Sequence, residues 1–259
     1  MATPRVILIT GASAGIGRAC AVGLSKAFPS AEHPEPLVLA LMGRREDELK
    51  ATGAACREGT VVEVLTGDVS SEADVARAFG TIKEKYGRLD LLFNNAGVNP
   101  LKGSALEDSD MDKFRKTLDI NVMGAVLCTA AAVRLMKEQT PQGGRIVNNG
   151  SISASSPRPD STSYTVSKHA ILGLTRSTSL DGRKYHIAAT QLDIGNALTD
   201  LSQGMGKGVP QADGSVRAEP LFDVNEVART LAYLASLPRS VEVLHLEILA
   251  LGMPYVGRG

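Results

Sequence analysis

Seven short runs of aliphatic and β-branched residues recur along the chain, at 6–10, 37–42, 61–65, 89–93, 145–149, 187–192 and 243–249. Most are apolar on consecutive residues rather than alternating ones, the pattern of strands covered by helices on both faces. The stretches between them read as helices. Residues 73–85 place Val75, Phe79 and Ile82 at helical spacing, and 125–136 and 164–180 carry similar apolar faces. Strands alternating with helical crossovers predict an α/β fold, a doubly wound parallel sheet of seven strands in one domain over residues 1–259. Two stretches break the alternation. Residues 29–36 carry three prolines and read as a surface excursion, and residues 198–222 are too rich in glycine for a stable helix.

Composition excludes several classes of function. The 28 basic and 28 acidic side chains cancel, and aromatics make up 4% with no Trp, so nucleic acid is not an expected partner. The longest uninterrupted apolar run, 37–42, falls far short of the ~20 residues that span a bilayer, and no membrane association is expected. The first ten residues lack the features of a secretory signal. Cys20, Cys56 and Cys128 are odd in number and far apart, which suits unpaired thiols in a cytoplasmic protein. His245 and Glu247 fall on one face of a strand, but two candidates without a third ligand predict no metal site.

The first run leads into Thr10-Gly11-Ala12-Ser13-Ala14-Gly15-Ile16-Gly17-Arg18-Ala19, and a helical pattern follows. A strand, a glycine-rich turn and a helix start together aim unpaired N–H groups and the positive end of a helix dipole at one point, where a pyrophosphate fits. Gly11 would allow the tight turn, Gly15 the close approach of the backbone, and Gly17 the near contact of helix and strand. Downstream, Tyr164 and Lys168 are four residues apart, so on a helix they share a face. A free phenol has a pKa of about 10, and a nearby cation favours its anion, which fits a Tyr for proton exchange near neutrality.

The glycine spacing resembles the short-chain dehydrogenase/reductase family. So do Asp68-Val69 after the third run, Asn94-Asn95-Ala96-Gly97 after the fourth, and Ser151 thirteen residues before Tyr164. The resemblance runs from Thr10 to about Thr199, and it implies a Rossmann-type fold and hydride exchange between a nicotinamide cofactor and a ketone or aldehyde. It implies a catalytic tetrad of Asn121, Ser151, Tyr164 and Lys168. Tyr164 would exchange the proton, Ser151 would hydrogen-bond the same oxygen, and Lys168 would hold the ribose and lower the Tyr pKa. Asn121 would kink its helix and hold a water. Cofactor contacts are implied at Gly11, Ser13, Gly15, Ile16 and Gly17, at Asp68 and Val69, and along Asn95, Ala96 and Gly97. Tyr164 and Lys168 would also touch the cofactor, as would Ile194, Ala197 and Thr199.

The second run ends in Met42-Gly43-Arg44-Arg45. Two guanidiniums there suit a ribose 2′-phosphate, whereas an acidic residue would suit a free hydroxyl, so NADP(H) is expected over NAD(H). The chain departs from the family in two places: Asp193-Ile194-Gly195 stands for the usual Asn-Pro-Gly, and Asn149-Gly150 for an aliphatic residue and a serine before Ser151. Residues 198–222 coincide with the family's variable substrate lid, which would place Leu198, Leu201 or Met205 against a substrate. The tail 253–259 could reach an active site, and the helices at 113–138 and 162–180 would join subunits of a homodimer or homotetramer. Two other readings stay open: reduction of a C=N or C=C bond with the same cofactor, and a nicotinamide-binding sensor without turnover.

Overall fold

A computed structural model describes residues 3–101, 103–199 and 202–256. Each expected run forms a strand: β1 (Arg5–Thr10), β2 (Leu37–Gly43), β3 (Val61–Thr66), β4 (Leu91–Asn94), β5 (Gly144–Asn149), β6 (Ile187–Ile194) and, last in the chain, β9 (His245–Ile248). They build one parallel sheet in the order β3-β2-β1-β4-β5-β6-β9, with the reversal of direction between β1 and β4. The helices are α1 (Gly15–Ala27), α2 (Glu46–Ala54), α3 (Glu72–Tyr86), α4 (Met111–Leu118), α5 (Gly124–Glu138), α6 (Thr162–Gly182) and α7 (Asn225–Ser236).

Consecutive apolar residues in the central strands feed two cores. Ile7, Ile9, Leu39 and Leu41 pack with Leu24 of α1 and Leu231 of α7 on one face. Val6, Leu8, Ala40 and Met42 pack with Ile82 of α3 and Met136 of α5 on the other. The outer strands differ because they lack full cover. Val61 of β3 and His245 and Glu247 of β9 are exposed, and Glu63 of β3 pairs with Lys85 at 2.8 Å.

Residues 111–138 form one continuous helical stretch that is long and apolar enough, by length and composition, to cross a membrane. Its apolar residues serve the interior: Cys128, Ala132, Leu135 and Met136 are buried in the second core. The stretch is α4 and α5 joined by a π-helical turn, Asp119–Met123. The glycine-rich segment carries more structure than its composition suggests. It holds a 3-10 turn (Gln203–Lys207) and a small antiparallel ribbon of β7 (Val209–Pro210) and β8 (Val216–Arg217). Residues 29–36 form the expected surface connection, without regular structure.

Candidate active site

A cleft of about 660 Å³ opens at the carboxyl ends of the strands, within the ~300–1,000 Å³ usual for cofactor and ligand sites and beside the switch point between β1 and β4. One end is the glycine-rich turn. Gly11 and Gly15 have φ of +66° and +53°, which L side chains rarely adopt, and a Cβ on Gly11 would lie 2.8 Å from the Ala96 Cα. Ala14 stands at the N-cap of helix α1 and offers no side-chain cap, and the first turn has no acidic residue, so the leading N–H groups beside the cleft are free of side-chain partners. Thr10 and Asn95 fix the turn. The Thr10 Oγ1 accepts from the Asn95 and Ala96 amides at 3.0 and 3.1 Å, and the Asn95 Nδ2 donates to the Thr10 carbonyl at 2.9 Å. Gly17 lies outside the cleft wall, where a Cβ would meet the Gly11 carbonyl oxygen at 2.3 Å; it lets α1 close on the turn.

Arg44 and Arg45 line the next part of the cleft. The Arg45 Nη2 donates to the Ser13 Oγ at 3.0 Å, and the Arg44 Nη1 is 3.7 Å from the Asp68 Oδ2. Asp68 also accepts from the Ser70 amide and hydroxyl. Arg18 braces this corner, a role the sequence did not reveal: its Nη2 donates to the Ser13 carbonyl at 2.6 Å and its Nε to the Thr52 Oγ1 at 3.0 Å. Val69, Asn95, Ala96 and Gly97 continue the wall, and Ile194, Ala197 and Thr199 close it opposite.

Ser151, Tyr164 and Lys168 line the same cleft. β5 delivers Ser151 as its chain leaves the sheet, and α6 presents Tyr164 and Lys168 one turn apart. The Lys168 Nζ lies 5.3 Å from the centre of the Tyr164 ring and donates to the Asn149 carbonyl at 2.7 Å. The Ser151 Oγ accepts from the Ser153 amide at 3.1 Å. Asn121 is not in the cleft wall. It lies in the π-helical turn, buried, with its Oδ1 accepting from the Val98 amide at 2.8 Å and its Nδ2 donating to the Val98 carbonyl and the Ser167 Oγ. The expected interruption of the helix is present, and the side chain ties the strand exit at Val98 to α6.

Asn149, in the cleft wall, forms a link: its Nδ2 donates to the Asn95 Oδ1 at 2.8 Å, joining the two strand ends. Beneath the cleft a buried polar chain crosses the molecule. Asn94 donates to Asn148 at 2.8 Å, Asn148 donates to the Thr175 Oγ1 of α6 at 2.8 Å, and that hydroxyl lies 3.0 Å from the Gln191 Oε1. Gln191 in turn donates to Asp193 at 2.8 Å.

Arg158 and Asn196 also line the cleft near Ser151, and the sequence reading passed over both. Their partner is Glu219, buried at the returning arm of the glycine-rich segment. The Arg158 Nη2 forms an ion pair with the Glu219 Oε2, Asn196 donates to the same oxygen at 2.8 Å, and Gln211 donates to the Oε1 at 3.0 Å. Burial alone would raise the Glu219 pKa, but the hydrogen bonds from Asn196 and Gln211 and the Arg158 charge hold it below its ordinary value. The one visible clue was Arg158 standing between Pro157 and Pro159, a charged residue fixed in a tight bend. Within the proposed lid, Leu198 is exposed beside the cleft residue Ala197. Leu201 lies outside the described residues, as does the side chain of Met205.

The third neighbour missing from the His245 and Glu247 pair is Asp193, on the adjoining strand. Register brings it opposite Glu247, and the ligand atoms of all three lie within 4.8 Å of one another. The His245 Nε2 is engaged by the Asp193 Oδ2 at 2.7 Å. The tail packs on its own chain, where Tyr255 meets residues that do not line the cleft: its hydroxyl is 2.5 Å from the Ser155 Oγ and 3.3 Å from Glu247. Residues 257–259 lie outside the described residues. His169 is exposed, with its Nδ1 2.9 Å from the Thr165 carbonyl. The cysteines are free, and burial pushes the thiol of Cys20 far up and that of Cys128 to about 12.

Comparison with known proteins places the chain in a family. A family model described as "short chain dehydrogenase" matches residues 5–209. A 3beta-hydroxysteroid dehydrogenase of Mediterraneibacter gnavus is 36% identical over 178 residues, covering 68% of this chain and 60% of that protein. The levodione reductase of Leifsonia aquatica is 31% identical over 246 residues, covering 90% of this chain and 88% of the relative. A crystal structure of a levodione reductase superposes with a TM-score of 0.79 at 28% identity, over 96% of this chain and 97% of that one.

Proposed function

The chain belongs to the short-chain dehydrogenase/reductase family of oxidoreductases, and from that premise we propose that it interconverts a ketone or aldehyde with an alcohol using NADP(H). One observation carries the reading. A single cleft holds an uncapped helix start and two arginines together with Ser151, Tyr164 and Lys168. The residues fit a nicotinamide dinucleotide. The α1 N-terminus and Gly15 would hold its diphosphate, Arg44 and Arg45 its 2′-phosphate, and Lys168 its nicotinamide ribose. Bound there, the reduced cofactor supplies the hydride.

The chain's own groups manage the proton. Tyr164 would give its phenolic proton to the carbonyl oxygen and recover it in the reverse direction, with the Lys168 ammonium 5.3 Å from the centre of its ring. Ser151 would donate to the same oxygen and steady the charge that develops on it. Asn121 would act through structure, holding Val98 and Ser167 so that α6 keeps its place against the cleft. The substrate would enter beside Arg158 and Asn196, with residues 198–222 as its cover.

Free buried thiols suit a cytoplasmic location. Val166 and Leu180 of α6 are exposed, as is Met123 in the turn that leads into α5, which suits a homo-oligomer built on those helices. NADPH absorbance with a panel of ketones tests the reaction. Turnover with at least one ketone, abolished in Tyr164→Phe, supports the reading. Binding of NADPH with no turnover on ketone, imine or enone would favour the sensor reading.

A further inference from the structure

Asp193 interrupts the family's usual turn sequence, and it lies directly behind Ser151. It is 2% exposed, at the end of β6, and it does not line the cleft. Groups from the β5 exit, from β6 itself and from β9 converge on its carboxylate. The Ser151 amide donates to the Oδ1 at 2.7 Å, the Gln191 Nε2 donates to the same oxygen at 2.8 Å, and the His245 Nε2 faces the Oδ2 at 2.7 Å. A buried carboxylate requires such donors, and an amide bond to an ionised acceptor is shorter and stronger than one to a carbonyl.

The departure at Gly150 has the same cause. A Cβ there would lie 2.0 Å from the Asp193 Oδ1 and 2.2 Å from the Gln191 Nε2. The backbone leaving β5 therefore runs in contact with the carboxylate, and only a residue without a side chain fits. The two departures from the family pattern, 43 residues apart in sequence, are one structural feature. It fixes the Ser151 backbone from beneath, while the Ser153 amide holds the Ser151 Oγ.

We propose that Asp193 is a positioning residue that sets the Ser151 hydroxyl in place through the Ser151 amide, with His245 securing the other carboxylate oxygen. The role rests on the reading of Ser151 as the group that orients the reacting oxygen. Asp193 itself touches no reacting atom. The aspartate does for this chain what a rigid turn would otherwise do, and it carries the anchorage out to β9, whose His245 side chain is half exposed.

The test uses the full chain, with NADPH oxidation on a ketone from the panel and the NMR shift of the Ser151 amide proton. Asp193→Ala is expected to lower kcat by about 30-fold with the NADPH Kd unchanged within about 2-fold, since a misplaced orienting group costs rate and not cofactor binding. The Ser151 amide proton should move upfield in the same variant. Asp193→Asn keeps an acceptor oxygen and should recover kcat to within about 5-fold of the parent. In a Ser151→Ala background, Asp193→Ala should cost less than about 3-fold, because the group it positions is gone. His245→Ala leaves the carboxylate present and should show a smaller loss in the same direction, which keeps the test open if Asp193→Ala does not fold.

An equal loss in the Ser151→Ala background, or a Ser151 amide shift that ignores Asp193→Ala, would overturn the proposal. If the parent chain reduces no ketone, or Tyr164→Phe keeps its activity, the proposed reaction fails instead. The amide shift then judges Asp193 independently.

Discussion

The Arg45 guanidinium donates to the Ser13 hydroxyl at 3.0 Å, so the charged end of the second strand is bound to the turn that precedes the first helix. Under the proposed NADP(H) reading, that cation is the partner of the 2′-phosphate. Replacing Arg44 and Arg45 with Ala is expected to weaken NADPH binding by about 10- to 100-fold, the loss of one or two charge-assisted hydrogen bonds. NADH binding should change by less than about 3-fold. Fluorescence titration of both cofactors measures the difference, and equal losses would refute the assignment.

Tyr164→Phe removes the proposed proton donor and leaves the ring. Its kcat is expected to fall by about 10²- to 10⁴-fold with cofactor affinity preserved. Lys168→Ala should lose both, because the ammonium lies beside the phenol and within the cleft. Steady-state kinetics with a separate NADPH titration distinguish the two patterns.

Glu219→Gln leaves the Arg158 guanidinium without its buried carboxylate. Breaking such a pair costs about 3–5 kcal/mol, which calorimetry would record as a lowered Tm. The pH dependence has a definite sign. The folded-state pKa of Glu219 lies below the ordinary 4.5, so the carboxylate stabilises the fold fully above that value and loses its contribution as pH falls through the folded pKa. The Tm gap between the parent chain and Glu219→Gln should therefore narrow in acid.

The thiols report on the packing of the interior. Cys20 and Cys128 are buried with pKa values pushed upward, and Cys56 is half-buried with its pKa raised by burial. A disulfide reagent at pH 8 should label at most Cys56 in the folded protein and all three cysteines in urea. Rapid native labelling of Cys20 would contradict the packing of α1 on the sheet.

The strands were legible because a parallel sheet covered on both faces writes itself as consecutive apolar residues, as in 6–10 and 37–42. The glycine turn and the Tyr164–Lys168 spacing were legible because local geometry dictates them. What the sequence concealed is pairing across distance. Nothing near Arg158 announces Glu219, and nothing near Gly150 announces Asp193; each partner arrives from another element at the same strand ends. The same blindness hid Asp193 beside His245 and Glu247, where sheet register and not spacing supplies the third group. The ribbon of β7 and β8 escaped because strands of two residues carry no readable period.

A helix lying on a sheet through aliphatic ridges alone can roll about its long axis with little penalty. Helix α6 is keyed against such rolling, since Thr175 meets Asn148 and Gln191 where no water can substitute for them. The azimuth of the phenol about three turns upstream is thereby set by a hydroxyl deep in the interior. Residues at the cleft mouth can change to suit new substrates while the direction of the Tyr164 side chain stays locked from below.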